Sequence, residues 1–191
     1  SSIREALSIT HGQFGSIYAS ATLCSSLLLI WVGKKIDDVN IFKFAFFVTI
    51  LLSFACFFFS RVTSVFLLFI AIFLMRFSGQ GMMSHTASTT ISRYFTKTRG
   101  RALSISWFGL SSAEFIMPVL MVYLLTIIDW QNLWLIFSIS VLIILPIVSF
   151  LLIKNLNLDS REANDENIKH VEIKQWRRRD VLKDYRFYII S

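Results

Sequence analysis

Residues 75–118 read MRFSGQGMMSHTASTTISRYFTKTRGRALSISWFGLSSAEFIMP. The stretch starts inside one apolar segment, crosses a basic turn and ends in the middle of the next. Arg76 and Glu114 sit where these segments should offer only hydrocarbon, and Gly79 and Gly81 follow the arginine closely. No other part of the chain combines deep charge, clustered glycine and a dense positive turn. Working outward from it fixes both the fold class and the places to look for chemistry.

The apolar character extends well beyond that stretch. Hydrophobic residues make up 55% of the 191 positions, Phe alone contributes 19, and they recur in long runs. A cleaved secretory signal would give one such run near the start, so the repetition argues for membrane spans instead. A bilayer core about 30 Å thick takes roughly 20 apolar residues as helix. Five segments meet that length: 13–32, 44–60, 65 to about 85 with helix continuing towards 90, 102–127 and 133–153. The sequence therefore predicts an all-α, polytopic transmembrane helix bundle over 1–154. Residues 155–191 read as a cytoplasmic linker, and their RFYIIS end as the start of a further helix. The tetrapeptide DWQN at 129–132 reads as a tight turn. Cys24 and Cys56 both fall inside apolar runs and read as buried packing residues, not as a disulfide or metal pair.

Charge placement orients the bundle. Sixteen of the 19 Lys and Arg residues lie in the 34–43 turn, in the 91–101 turn and from Lys154 onward. The positive-inside rule places all three on the cytoplasmic side. The net charge of +7 is thereby explained without nucleic acid as a partner. The start of the chain then lies outside, which together with the absence of an initial Met predicts an earlier span before Ser1.

Counting from Ser64 at 1.5 Å per residue puts Arg76 about 18 Å deep. Counting from Ala102 puts Glu114 about 18 Å in from the other side. A charge at that depth costs at least a few kcal/mol unless it faces protein or water. Glu114 must be paired or protonated there, and a carboxyl that alternates between the two states suits proton coupling. Pro118 lacks the amide that would bond the Glu114 carbonyl, which predicts a kink and a free acceptor beside the acid. Ala102, Ser106, Gly109 and Ala113 form a stripe of small residues suited to close helix packing. The two depths differ by about 6 Å, so Arg76 and Glu114 are expected to approach one another or to share a cavity. At 100° per residue Gln80, Met83 and Ser84 fall within about 80° of Arg76, and His85 about 180° away. His85 is accordingly a secondary candidate, as a gate or proton carrier near the cytoplasmic end. No metal-ligand spacing, phosphate loop or catalytic triad stands out, and neither a cofactor nor an enzymatic reaction is expected.

Three motifs carry a family resemblance. The turn GKKIDDVNIFK resembles the signature between the second and third helices of the major facilitator superfamily, with Gly33 as its glycine, Asp37 as its acid and Lys43 as a trailing base. It departs at Asp38, where the family has a basic residue, and at Asn40, in place of a second glycine. Arg76 with Gly79 and Gly81 is similar to the fourth-helix signature, with the glycines one position off. RYFTKTRGRAL, through Tyr94, Phe95, Lys97, Arg99, Gly100, Arg101 and Ala102, and Gly109 beyond it, is similar to the start of helix five in monocarboxylate-porter-like bacterial members. Ala113 departs from the glycine expected before the acid.

The resemblance implies helices two to six of a twelve-helix carrier, the first helix and the second half being its missing partners. It also implies a gating role for the Gly33–Asp37–Lys43 turn and a bacterial inner-membrane location. The function expected is secondary transport of a small solute by alternating access, an organic anion in symport with a proton. Arg76, Glu114, Gln80 and His85 are the substrate and proton-coupling candidates, and Gly79, Gly81, Gly109 and Pro118 the packing residues. Two alternatives stay open: a non-transporting scaffold or receptor, and an exporter of neutral or cationic compounds.

Overall fold

The computed structural model describes residues 3–33, 40–95 and 98–155. Asp37, Lys97 and the expectations for the tail lie outside the described residues. Within them the chain is helical throughout, with no strand. A short α1 (Ile3–Ala6) precedes α2 (His11–Val32), α3 (Ile41–Ser60) and α4 (Val65–Met75). A π-helical segment (Arg76–Met83) continues α4 and runs into α5 (Ser84–Tyr94), followed by α6 (Arg99–Ile127) and α7 (Trp130–Asn155). Five helices are long and apolar enough to cross a membrane: His11–Val32, Lys43–Ser60, Val65–Ser92, Arg99–Ile127 and Trp130–Ser149. These are the five spans read from the sequence.

Local chemistry sets the helix starts. Thr10 accepts from the Gln13 amide at 3.2 Å, and the Gln13 side chain accepts from the Thr10 amide at 2.9 Å. This capping box satisfies two amides that a helix start leaves without partners. Ser64 does the same for α4, accepting from the Leu67 amide at 3.3 Å. Ser8, at φ 52°, is in the left-handed region and reverses the chain. Ile3, Leu7 and Ile9 thereby fold back onto the buried cluster of Ala21, Phe59, Val62, Leu68, Ala71, Ile72 and Trp130.

Three boundaries differ from expectation. α7 starts at Trp130, inside the expected DWQN turn, because Trp130 is buried with its ring edge-on to Phe59 at 6.3 Å. Burying an indole outweighs the turn preference of its neighbours. The basic turn is shorter than 91–101, since α5 runs to Tyr94 and α6 starts at Arg99. α6 passes through Pro118 as one helix, in agreement with the single span expected over 102–127. Of the two cysteines, Cys56 is buried as expected, but Cys24 is exposed on the outer side of α2.

Packing is uneven across the bundle. α3 lies along α7, and α2 and α3 both pack on α4 and its π-helical continuation. Between α3 and α7 the Ser53 hydroxyl donates to the Ser138 carbonyl at 2.9 Å, and the Ser138 hydroxyl donates to the Ser53 carbonyl at 2.8 Å. Both serines are buried, so each hydroxyl ties one helix to its neighbour's backbone. Phe46, Phe47, Phe54 and Phe57 face outward from α3, and Trp31 from α2. An apolar surface of that extent requires lipid or further apolar helices around it. No residue of α6 is buried.

Candidate functional site

The site is built along one seam, where α2 runs beside α4, the π segment and α5. Arg76 is the first residue of the π segment, and its own amide donates to both Ile72 and Phe73 carbonyls. Its side chain turns to α2. There Nε donates to Thr22 Oγ1 at 3.2 Å, and the guanidinium carbon lies 4.9 Å from the centre of the Tyr18 ring. The Thr22 hydroxyl in turn donates to the Tyr18 carbonyl at 2.7 Å. Neither Nη group donates to a described residue.

One turn of π-helix further, Gly81 faces Leu29: a Cβ there would lie 3.3 Å from both Leu29 methyls. Further still, the His85 ring lies over Gly33, where an added Cβ would be 3.1 Å from Cδ2 and 3.2 Å from Nε2. Nδ1 of the ring pairs with Thr89 Oγ1 at 3.0 Å. Arg76, Gly81 and His85 therefore all meet α2, against Tyr18 and Thr22, Leu29, and Gly33 respectively. Gly79 meets α3 instead, 3.3 Å from Leu52 Cδ1.

That grouping corrects the helical-angle expectation. His85 is on the Arg76 side of the span, not opposite it. Met83 and Ser84 line a cleft towards α6 with Ala87, Ser88, Ser106, Trp107 and Leu110, about 270 Å³ in volume. The cause is the π segment. Its i→i+5 turns hold more residues than α turns, so each residue advances less than 100° and the faces drift over Arg76–Met83. An ideal-helix count fails across eight such residues.

Glu114 is on α6, exposed, one turn beyond Leu110 of the cleft. It makes no ion pair with Arg76, whose side-chain contacts go to α2. Gln80 is exposed. The close packing expected at Gly109 is likewise not made within the described residues, since nothing lies within 4 Å of a Cβ added there. Lys43 is exposed, in the first turn of α3, and its amide donates to the Asn40 side chain at 3.4 Å.

Tyr18 and Thr22 escaped the sequence reading. The signal was an aromatic residue and a hydroxyl four apart on a span already rich in Ser and Thr. It is drowned by neighbours that only bond their own helix, such as Ser16 to Gly12, Ser20 to Ser16 and Ser26 to Thr22.

Membrane-length helices with an arginine and a carboxylate inside their spans define a polytopic membrane protein built to handle polar groups within the bilayer. The family model of the Major Facilitator Superfamily matches residues 1–190, and the chain belongs to that family. It is a multi-pass protein of a family of membrane transporters. A search of curated proteins and a search of solved structures each give no match.

Proposed function

We propose that the protein is a secondary transporter of a small organic anion, driven by protons and working by alternating access. The observation that carries this reading is Arg76. It is deep in a span, half-buried, held along one edge by α2, with neither Nη group donating to a described residue. A guanidinium so held offers an anion a fixed, charge-assisted partner. Glu114 supplies the proton-carrying carboxyl, exposed one turn beyond Leu110 of the serine-lined cleft. Gln80 belongs to the same polar path. His85 over Gly33 serves as a gate where α2 ends, next to the Gly33–Asp37–Lys43 turn, and Gly79, Gly81, Gly109 and Pro118 shape the moving helices. The monocarboxylate-porter-like likeness of RYFTKTRGRAL supports the same solute class. In this reading residues 34–43, 91–101 and the tail face the cytoplasm of a bacterial inner membrane.

Uptake of labelled organic anions into membrane vesicles from expressing cells, with and without an inward proton gradient, tests the reading. Gradient-stimulated uptake is expected, and Glu114→Gln should abolish the stimulation while leaving downhill exchange. Stimulation that survives Glu114→Gln removes the carboxyl from the mechanism. Flux of cations or neutral solutes alone removes the anion, and no flux across a broad panel favours a scaffold.

A further inference from the structure

The seam between α2 and the π segment shows how an anion would have to approach. A guanidinium carries five N–H donors in a planar fork, and a carboxylate can pair with it side-on, through Nε and one Nη, or end-on, through both Nη. The side-on edge is occupied. Nε donates to Thr22 Oγ1, and that oxygen is free to accept because its own proton goes to the Tyr18 carbonyl. The guanidinium carbon also lies over the Tyr18 ring, 4.9 Å from its centre. Tyr18 is 40% exposed, so it reaches out from α2 instead of being locked in the core.

Resting on the anion-transport reading above, we propose that Tyr18 and Thr22 are positioning residues that make Arg76 receive a carboxylate end-on. Thr22 fixes the rotation of the fork about its long axis, and Tyr18 fixes its tilt. The bound carboxylate then lies on the far side of Arg76 from α2, coplanar with the guanidinium. Thr22→Ser keeps the hydroxyl and Tyr18→Phe keeps the ring, so both should behave as the parent. Thr22→Val frees the Nε edge, and Tyr18→Leu removes the supporting face.

The test uses the full chain in lipid vesicles with phenylglyoxal, which adds to free guanidinium nitrogens, and mass spectrometry to follow Arg76 alone. Benzoate is the competing carboxylate. In the parent, Thr22→Ser and Tyr18→Phe proteins, benzoate should slow modification of Arg76 to the same extent at the same concentration. In Thr22→Val and Tyr18→Leu the unprotected rate should persist, while about tenfold more benzoate is needed, the order expected for losing one charge-assisted contact. Protection that is unchanged in Thr22→Val and Tyr18→Leu overturns the positioning role and leaves the anion reading standing. A parent Arg76 that reacts but is not protected by benzoate overturns the anion reading itself. An Arg76 that does not react at all overturns the free Nη edge on which both rest.

Discussion

At the scale of single residues, the unusual pair is His85 and Gly33. Gly33 has φ −57°, an ordinary right-handed value that alanine adopts equally well. Only space limits it, because an alanine methyl would press on the His85 ring at 3.1 Å. The ring is exposed and held by one contact, to Thr89, so it can swing away by giving that contact up. Gly33→Ala should therefore cost about 1 kcal/mol, the worth of one hydrogen bond. The cost should vanish in a His85→Ala background, an interaction that a double-mutant cycle on thermal unfolding in detergent resolves. Equal costs in both backgrounds would show that ring and glycine are not in contact. The glycine was legible from the turn motif, and the histidine was legible as a polar oddity. Their contact was not, because it depends on the helical phase through the preceding glycines.

At the scale of elements, the π segment explains most of what could not be foreseen. RFSGQGMM carries Gly at two positions, which lowers the cost of departing from α geometry. The widened turns bring Gly79 against α3 and Gly81 against α2, so one segment serves two neighbours. Apolar periodicity located the span, and its caps are written in Ser64 and the Thr10–Gln13 box. Nothing in residue spacing distinguishes i→i+5 from i→i+4 bonding, since both follow from how the neighbours press. Gly81→Leu should cost about 1–3 kcal/mol of stability, because a Cβ there already lies 3.3 Å from both Leu29 methyls and 3.4 Å from the Arg76 carbonyl oxygen, and the rest of the side chain must displace its neighbours. It should also part Arg76 from Tyr18. By contrast Gly109→Ala should be neutral or stabilise by up to about 1 kcal/mol, through helix propensity with nothing to clash. Ranking the two variants by midpoint in a detergent melt checks both, and a destabilised Gly109→Ala would place a tight neighbour against α6.

At the scale of the whole molecule, the contrast is between a packed side and a bare one. α3 and α7 are bound by the Ser53–Ser138 pair and by Phe59 against Trp130 and Trp134, whereas α6 has no buried residue. Its surface is not uniform. Phe115, Val119 and Val122 are 82%, 71% and 68% exposed and wholly apolar, which lipid satisfies. Ser106 instead lines the cleft with Ser84 and Ser88, and Glu114 is exposed one turn beyond Leu110 of the same cleft. Polar groups at that depth are stable only beside water or protein, so the cleft side of α6 should be wet and the far side dry. Cysteine substitution reads this directly in a protein whose exposed Cys24 has been replaced by serine, the buried Cys56 being out of reach. Ser106→Cys should react with a water-soluble maleimide in membranes, and Val119→Cys should not. The same reagent fixes orientation: Ser64→Cys should label in right-side-out vesicles and Lys43→Cys only in inverted ones. Labelling of Lys43→Cys from outside would reverse the bundle. Silence at Ser106→Cys matching that at Val119→Cys would mean that α6 is surrounded by lipid on both faces. Glu114 would then have no water beside it to trade a proton with, and the carboxyl would drop out of the proposed transport cycle.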